Sequence, residues 1–317
     1  MSFARYVLRR LALALFSLVV ASAVIFTLLR LLPGDIAETK LGVGATPEAV
    51  AQLREDLGLD RSVLVQYGEW LGNAVRGDLG ESLISEVSVS GELANKSRVT
   101  LPLVLASGLL SLLIALPLGL LAALRHRRPD GVALSVASQL GVAVPSFWVG
   151  VILITAFAVN RAVLPAGGFP EAGWADGTEA IRSLVLPIVT LTIAQAAVLT
   201  RFARSAALDT LSQEFFRTAR ATGLTRRQAL REHGLRNSLL PVVSVLGVQV
   251  STLVVGAIVV ESVFALPGIG QMLLQDVAIR DFNKVMGTLV VAMSLVFVVS
   301  FVTDLVTGIL DPRTTKR

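Results

Sequence analysis

Several groups that carry chemistry in other proteins are missing from this sequence of 317 residues. It contains no cysteine, which excludes disulfide bonds and thiolate metal sites, and its two histidines, His126 and His233, are isolated, so no metal site is expected. No Gly-x-x-x-x-Gly-Lys-Ser/Thr loop is present to cradle a nucleotide phosphate. Neither a Ser-His-Asp set nor a pair of carboxylates stands out, so no catalytic residue is assigned and enzyme activity is not supported.

Charge is also scarce. Charged residues make up only 16% of the chain and hydrophobic residues 54%, whereas soluble domains carry roughly 25% charged residues. Together with a mean hydropathy of +0.73, this indicates a polytopic membrane protein. The net charge of +5 does not indicate a nucleic-acid partner, because the arginines cluster at the ends of apolar runs.

Six apolar stretches are long enough to cross a bilayer, which takes about 20 residues in a helix. They cover residues 7–32, 100–124, 132–160, 184–202, 239–260 and 285–310, and the fourth is the shortest. The first is too long for a signal-peptide core and no small-residue cleavage site follows it, so we expect it to be retained. The sequence therefore predicts an all-α membrane protein with six transmembrane helices.

Positive charge predicts the direction of these spans. Basic residues gather before the first span, after the second, between the fourth and fifth, and after the sixth, which places them on one side if there are six spans. The connector 201–236 has eight arginines against three acidic residues, whereas the segment 33–99 has six basic and eleven acidic residues. We therefore expect both termini in the cytoplasm. The segment 33–99 is expected outside, as short helices with turns at Pro33-Gly34-Asp35 and Gly77-Asp78-Leu79-Gly80.

The arginine-rich connector is expected to fold as two short helices joined by a glycine. Ser212 can cap the helix that follows it, and Gly223 suits the left-handed conformation that ends that helix. Thr225 and Gln228 have the spacing of a capping box, and Pro241 fits the first turn of the next span. An unstructured positive-inside loop would also account for the arginines. A DNA-binding helix-turn-helix is disfavoured because both ends are tied to spanning segments.

This connector resembles a known family. The resemblance is carried by Arg217, Thr218, Ala219, Arg220, Ala221, Thr222, Gly223 and Leu224, followed by Leu235-Arg236-Asn237-Ser238-Leu239-Leu240-Pro241. The pattern resembles the cytoplasmic EAA loop of binding-protein-dependent ABC importer permeases, in the form found in the dipeptide and oligopeptide permease group. The general pattern begins Glu-Ala-Ala, where this chain has Arg217, Thr218 and Ala219, so no role is carried over from that carboxylate.

The resemblance covers nearly the whole chain. Further matching motifs are Leu31-Leu32-Pro33-Gly34-Asp35, Leu57-Gly58-Leu59-Asp60, Gly77-Asp78-Leu79-Gly80, Pro145-Ser146-Phe147-Trp148, the stretch 256–270, Asp304 and Asp311-Pro312-Arg313. In this order they match the B-type permease, which has a long first external loop. The resemblance implies the type I ABC importer permease fold. Its parts would be the N-terminus with the first span (1–32), an external loop (33–99), a core (100–310) that contains the coupling loop 201–238, and a cytoplasmic tail (311–317).

The resemblance also implies how the connector works and what it contacts. In that family it is a coupling helix that docks into a groove on a separate ATPase subunit. The arginines Arg217, Arg220, Arg226 and Arg227 would then pair with carboxylates on the ATPase, and Ala219 and Ala221 would keep the docked backbone close. The implied partners are a second, C-type permease subunit, two cytoplasmic ATPase subunits that bind ATP and Mg²⁺, an extracytoplasmic solute-binding protein and the lipid of a prokaryotic inner membrane. The chain itself is expected to bind no cofactor.

Import of di- or oligopeptides is the function that the resemblance implies. Nickel chelates, glutathione and sugars are alternative cargoes within the same class of permease. A stand-alone secondary transporter is disfavoured, because such proteins have paired charges at mid-membrane and often internal repeats, and neither is evident here.

Two places are candidates for a gate or pathway. The first is Pro145, Ser146, Phe147 and Trp148 in the third span, although a tolerated helix kink is the simpler interpretation of Pro145. The second is Glu261 near the outer end of the fifth span, for which simple solvation at the interface is equally compatible.

Other polar groups in the spans have structural interpretations. Pro117 and Pro187 are expected to be tolerated kinks. Gln139, Gln195 and Gln249 are expected to form hydrogen bonds between helices. Asp304 is expected to pair with an arginine of a loop.

Overall fold

Helices dominate the residues that the computed structural model describes, which are 3–31, 36–42, 44–56, 58–82 and 84–310. The long helices are α1 (Phe3–Leu31), α5 (Val89–Leu124), α8 (Gly177–Ser212), α11 (Leu235–Val263) and α13 (Phe282–Leu310). The shorter ones are α2 (Ile36–Leu41), α3 (Pro47–Asp56), α4 (Val63–Ala74), α6 (Pro129–Ala143), α7 (Ser146–Leu153), α9 (Glu214–Ala221), α10 (Arg226–Ala229) and α12 (Ile269–Ala278). Within these ranges no strand occurs, and Glu81 and Ser88 form an isolated bridge. The turn at Pro33-Gly34-Asp35, the tail 311–317 and the side chain of His233 lie outside the described residues.

Five helices, α1, α5, α8, α11 and α13, are long and apolar enough to cross a membrane. The pair α6 and α7 passes the same test together but is bent by 98°. Val144 (φ −82°, ψ 122°) and Pro145 (φ −60°, ψ 135°) are extended at the bend, because a proline disfavours the helical conformation of the residue before it. A tolerated kink at Pro145 is therefore wrong, whereas Pro117 and Pro187 do lie inside continuous helices.

The helices extend beyond the apolar runs that mark them. α5 begins at Val89 rather than at residue 100, and α8, which contains the weakest of the six runs, is 36 residues long. α8 is also the most enclosed of the five, with 61% of its most apolar window buried against 11% for α1. Its buried residues include Thr190, Thr192 and Gln195, which lower its hydropathy although they face protein.

The described residues of 1–11, 101–266 and 298–317 form one compact unit, in which α8 contacts α6, α7 and α11. Gln195 Nε2 donates to Gln249 Oε1 at 2.8 Å, which confirms the interhelical hydrogen bond expected for these two residues, whereas Gln139 is exposed. Arg10 pairs with Asp304 at 3.1 Å. The prediction of a loop arginine for Asp304 is therefore wrong, because Arg10 belongs to α1.

The described residues of 12–100 and 267–297 form the other unit. Phe26 and Met286 are buried together, with Tyr67 and Trp70 packed against them, so α4 rests on α1 and α13. The short helices expected between residues 33 and 99 are present as α2, α3 and α4. The turn at Gly77-Asp78-Leu79-Gly80 is confirmed, since both of its glycines have positive φ.

An ion-pair cluster holds the polar start of α5 within this second unit. Lys284 Nζ of α13 lies 2.9 Å from a carboxylate oxygen of Glu92 in α5 and 2.9 Å from one of Asp276 in α12. Burial raises the pKa of Asp276, and the ammonium of Lys284 opposes that rise. These contacts explain why α5 begins in a polar stretch that an apolar-run criterion leaves out.

Candidate functional site

The arginine-rich connector is a helix, a glycine turn and a second helix. α8 ends at Ser212, and Gln213 is extended (φ −68°, ψ 151°) at the N-cap of α9. Gly223 has φ +95°, which confirms the left-handed conformation expected there. After the turn, α10 continues through a π-helical turn, Leu230–Gly234, into α11. No break therefore separates the connector from the long helix that follows it.

Of the other predictions for helix ends, two are wrong and one is confirmed. Ser212 does not cap α9, because its hydroxyl donates to the Asp209 carbonyl at 2.7 Å within the preceding helix. Pro241 lies inside α11 rather than in the first turn of a new span, since helical structure begins well before it. The capping box is present: the Thr225 N–H donates to Gln228 Oε1 at 2.9 Å and the Gln228 N–H donates to Thr225 Oγ1 at 3.3 Å.

One side of α9 packs against its own chain. Phe216 and Ala219 are buried in a cluster with Ala229 and Leu230, and Leu124 of α5 packs against this cluster. The expectation that Ala219 keeps a docked partner close is therefore wrong, because Ala219 is only 7% exposed and its contacts are internal. The cluster joins α9 to α5 and to the start of the α10–α11 helix.

The opposite side of α9 and the turn are exposed. Six of the eight predicted coupling residues are exposed, namely Arg217, Thr218, Arg220, Ala221, Thr222 and Gly223, and Leu224 is half-buried against the cluster. Arg220 donates to the Leu224 carbonyl at 2.6 Å and so braces the turn. Arg226 is exposed as well, whereas the side chain of Arg227 lies outside the described part of the chain.

The two candidate pathway elements meet in the structure, although not through all of the predicted side chains. α7 contacts α11, and a Cβ on Gly150 would lie 3.1 Å from the Phe264 ring, three residues beyond Glu261. Phe147 and Trp148 are exposed, Trp148 by 57%, and do not take part in this packing. Glu261 is fully buried, so solvation of this carboxylate at the interface is wrong.

A tight corner follows Glu261 and was missed by sequence reasoning. The Gly168 N–H donates to the Phe264 carbonyl at 2.7 Å, and a Cβ on Gly167 would lie 2.3 Å from that carbonyl oxygen. The Leu266 N–H donates back to the Glu261 carbonyl at 2.9 Å. The adjacent pair of glycines was the available signal, because such a close approach of two backbones leaves no room for a side chain.

Comparison with known proteins gives two family matches that together cover nearly the whole chain. The family described as "Binding-protein-dependent transport system inner membrane component" matches residues 115–316, and "Binding-prot-dependent transport system membrane comp, N-term" matches residues 3–99. Both matches agree with the resemblance carried by the connector and the flanking motifs.

Full-length relatives and a solved structure point the same way. A putative peptide transport system permease protein of Brucella abortus (strain 2308) is 36% identical over 312 residues, which are 97% of this chain and 98% of that protein. The oligopeptide transport system permease protein AppB of Bacillus subtilis (strain 168) is 35% identical over 98% of this chain and 99% of its own. An inward-facing structure of the MetNI methionine ABC transporter has the same fold, with a TM-score of 0.57 and 22% identity over 69% of this chain and 96% of that chain. This chain is therefore a multi-pass membrane protein that belongs to the family of binding-protein-dependent transport system inner membrane components.

Proposed function

We propose that this chain is the permease subunit of an ATP-driven ABC importer of di- or oligopeptides and forms half of the translocation pathway. The observation that carries the proposal is the two-sided connector. Its apolar side is packed into the chain around Phe216 and Ala219, and its other side exposes Arg217, Arg220 and the Gly223 turn. A surface that is rigidly held from within and charged on the outside is suited to being moved by a partner.

The connector is mechanically tied to the spanning helices. α9 contacts α10 through the cluster around Leu230, and α10 runs without a break into α11. A displacement of α9 would therefore be passed to α11 as a rigid-body movement. In this proposal, carboxylates of an ATPase subunit pair with Arg217 and Arg226, because guanidinium–carboxylate pairs combine charge with directed hydrogen bonds.

The proposed assembly contains this chain, a second C-type permease, two cytoplasmic ATPase subunits that bind ATP and Mg²⁺, and an extracytoplasmic solute-binding protein. The distribution of arginines supports a cytoplasmic connector and cytoplasmic termini. In this proposal the solute-binding protein docks outside the membrane, on a surface that includes the segment 33–99 with the helices α2, α3 and α4.

The proposed pathway runs between the two permeases, and the α7–α11 contact borders it. In this proposal, one wall of the pathway moves during transport, and it contains Pro145, Ser146 and the exposed rings of Phe147 and Trp148. The corner after Glu261 stays fixed and supports that wall. Support for a peptide cargo comes from the relatives in Brucella abortus and Bacillus subtilis, whose names assign them to peptide and oligopeptide transport. Nickel chelates, glutathione and sugars are the alternative cargoes for a permease of this class.

Purification of the tagged chain from its native membrane, followed by reconstitution in proteoliposomes, tests the proposal. We expect two ATPase subunits and a second permease to copurify. With the solute-binding protein outside and ATP inside, we expect uptake of labelled di- or oligopeptides that stops when any subunit is left out. Uptake of glutathione, a nickel chelate or a sugar instead would change the cargo and keep the importer. Uptake by this chain alone, driven by an ion gradient, would refute the proposal.

A further inference from the structure

The helix α6 has one face buried against protein and one face exposed. It contacts α8 and buries Gly131, Ser135 and Ser138. The contact is close, because a Cβ on Gly141 would lie 2.8 Å from the Cβ of Ala197 in α8. The inner face of α6 is therefore made of small residues that pack closely against neighbouring parts of the chain.

The exposed face of α6 carries an apolar stripe. Val132, Val136 and Leu140 are spaced four residues apart and are each about half exposed or more. They lie on a shallow groove of about 700 Å³ that is open on most sides and is lined only by α6 and the turn before it, including Arg127 and Arg128. At 1.5 Å per residue, the stripe from Val132 to Leu140 is about 12 Å long. This is close to the depth of one leaflet, about 15 Å of hydrocarbon.

Three arginines and one carboxylate lie at the end of this groove, so the turn keeps a net positive charge. The carboxylate on this turn, Asp130, pairs with Arg125. Arg127 and Arg128 are exposed and form no ion pair within the part of the chain that the structure describes. Arg128 is the N-cap residue of α6, and Arg127 precedes it.

We propose that this groove binds one anionic phospholipid, with its phosphate at Arg127 and Arg128 and its acyl chains along Val132, Val136 and Leu140. The match is one of charge and of length, because basic residues at a membrane surface attract anionic headgroups and the apolar stripe continues from them to the depth of a leaflet. A soluble acidic protein would match the two arginines but not the stripe. The inference depends on the membrane-spanning fold and not on the proposed transport function.

Native mass spectrometry of the full-length chain tests this site, with phosphatidylglycerol and phosphatidylcholine of identical acyl chains as the probes. We expect one phosphatidylglycerol to bind more tightly than any phosphatidylcholine. Each basic residue near an anionic surface is worth about fivefold in affinity, so Arg127→Gln/Arg128→Gln should weaken that binding about 30-fold. Val136→Gln interrupts the apolar stripe with a polar side chain and keeps both charges, and it should weaken binding as well.

The matched control is Arg5→Gln/Arg9→Gln, which removes the same charge from exposed arginines of α1 and should leave the tight site unchanged. Equal affinity for the two lipids, an equal loss in the control, or no effect of Val136→Gln would overturn the proposal. A photocrosslinker on Val136→Cys reports the occupant in native membranes, because the chain has no other cysteine. A lipid adduct is expected, and a protein adduct would instead assign the groove to a partner subunit.

Discussion

At the scale of single residues, Gly223 is the position where the backbone conformation alone requires a glycine. Its φ of +95° lies where residues with a side chain are strained, and its N–H donates to the Arg220 carbonyl at 3.1 Å. Proline supplies neither that φ nor an N–H. We expect Gly223→Pro to break the turn between α9 and α10 and to reduce ATP-dependent uptake to background. The amount of protein in the membrane, measured by quantitative blotting, should stay normal.

Gly77→Pro is the matched control for that substitution. Gly77 has φ +86° and its N–H donates to the Ala74 carbonyl at 2.9 Å, and a Cβ at either glycine would meet nothing within 4 Å. The two substitutions therefore impose the same local strain, and we expect uptake to survive only in Gly77→Pro. Normal transport by a well-expressed Gly223→Pro variant would contradict the coupling role.

Substitutions at two alanines of α9 distinguish the folding of the connector from the docking of an ATPase subunit onto it. Ala219 is buried in the cluster with Phe216, whereas Ala221 is exposed. Ala219→Asp puts a carboxylate among apolar side chains and should cost the connector about 2–4 kcal/mol, while Ala221→Asp should cost no more than about 0.5 kcal/mol.

Limited proteolysis of the connector in detergent checks the difference between these alanines. We expect rapid cleavage in Ala219→Asp and wild-type protection in Ala221→Asp. Uptake should be lost in both variants, in the second because a like charge meets the carboxylates of the docked ATPase. Equal protection of the two connectors would contradict the packing of Ala219, and normal uptake by Ala221→Asp would contradict docking at this surface.

At the scale of elements, the break between α6 and α7 is imposed by Pro145. Without the proline ring, Val144 regains access to the helical conformation and residue 145 regains an N–H. Spin labels on Ala133→Cys and Ile152→Cys, both at exposed positions, report the angle. A right-angled pair places these positions about 20 Å apart, whereas one straight helix places them about 28 Å apart. We expect a short distance in the parent protein and a distribution extended toward the longer value in Pro145→Ala.

Pro117→Ala is the control for the break, because Pro117 lies inside the continuous helix α5 and its replacement should leave the distance unchanged. A distance that stays short in Pro145→Ala would show that packing of α7, such as the contact of Gly150 with Phe264, holds the bend without the proline.

Apolar runs predicted where the spanning helices lie but not where they begin. Hydropathy detects the lipid-compatible part of a helix, and it therefore missed the first turns of α5, where Glu92 is matched by Lys284 from far along the chain. It also ranked α8 lowest, because α8 contains polar residues such as Thr190. The fold accommodates Thr190 because its hydroxyl donates to the backbone carbonyl of Leu186. Spacing rules found local features, including the Gly223 turn and the Thr225–Gln228 box. Ala219 lies on the apolar side of α9 with Phe216, Ala229 and Leu230, so its burial follows from the amphipathic pattern of the connector itself. The burial of Glu261 has no such signal in the residues around it.

At the scale of the whole molecule, the number of membrane crossings depends on the bent pair. If α6 and α7 cross together, the chain has six crossings, and if they form a re-entrant loop it has five. The positions of the arginines favour one of these arrangements. Arg125, Arg127 and Arg128 precede α6, and the connector follows α8, so the two basic regions share a side only when the bent pair crosses. Six crossings are therefore favoured.

Single cysteines in the cysteine-free chain test this arrangement directly. Val75 after α4 is 82% exposed, Thr225 in the connector is exposed, and three crossings separate them if the bent pair spans. We expect a membrane-impermeant maleimide to label Val75→Cys in intact spheroplasts, and to label Thr225→Cys and the control Arg127→Cys only after permeabilisation. A re-entrant pair would instead put Thr225 on the side of Val75 and opposite Arg127. Labelling of Thr225→Cys in intact spheroplasts would therefore contradict the sixth crossing. It would also show that a cytoplasmic ATPase cannot reach the connector.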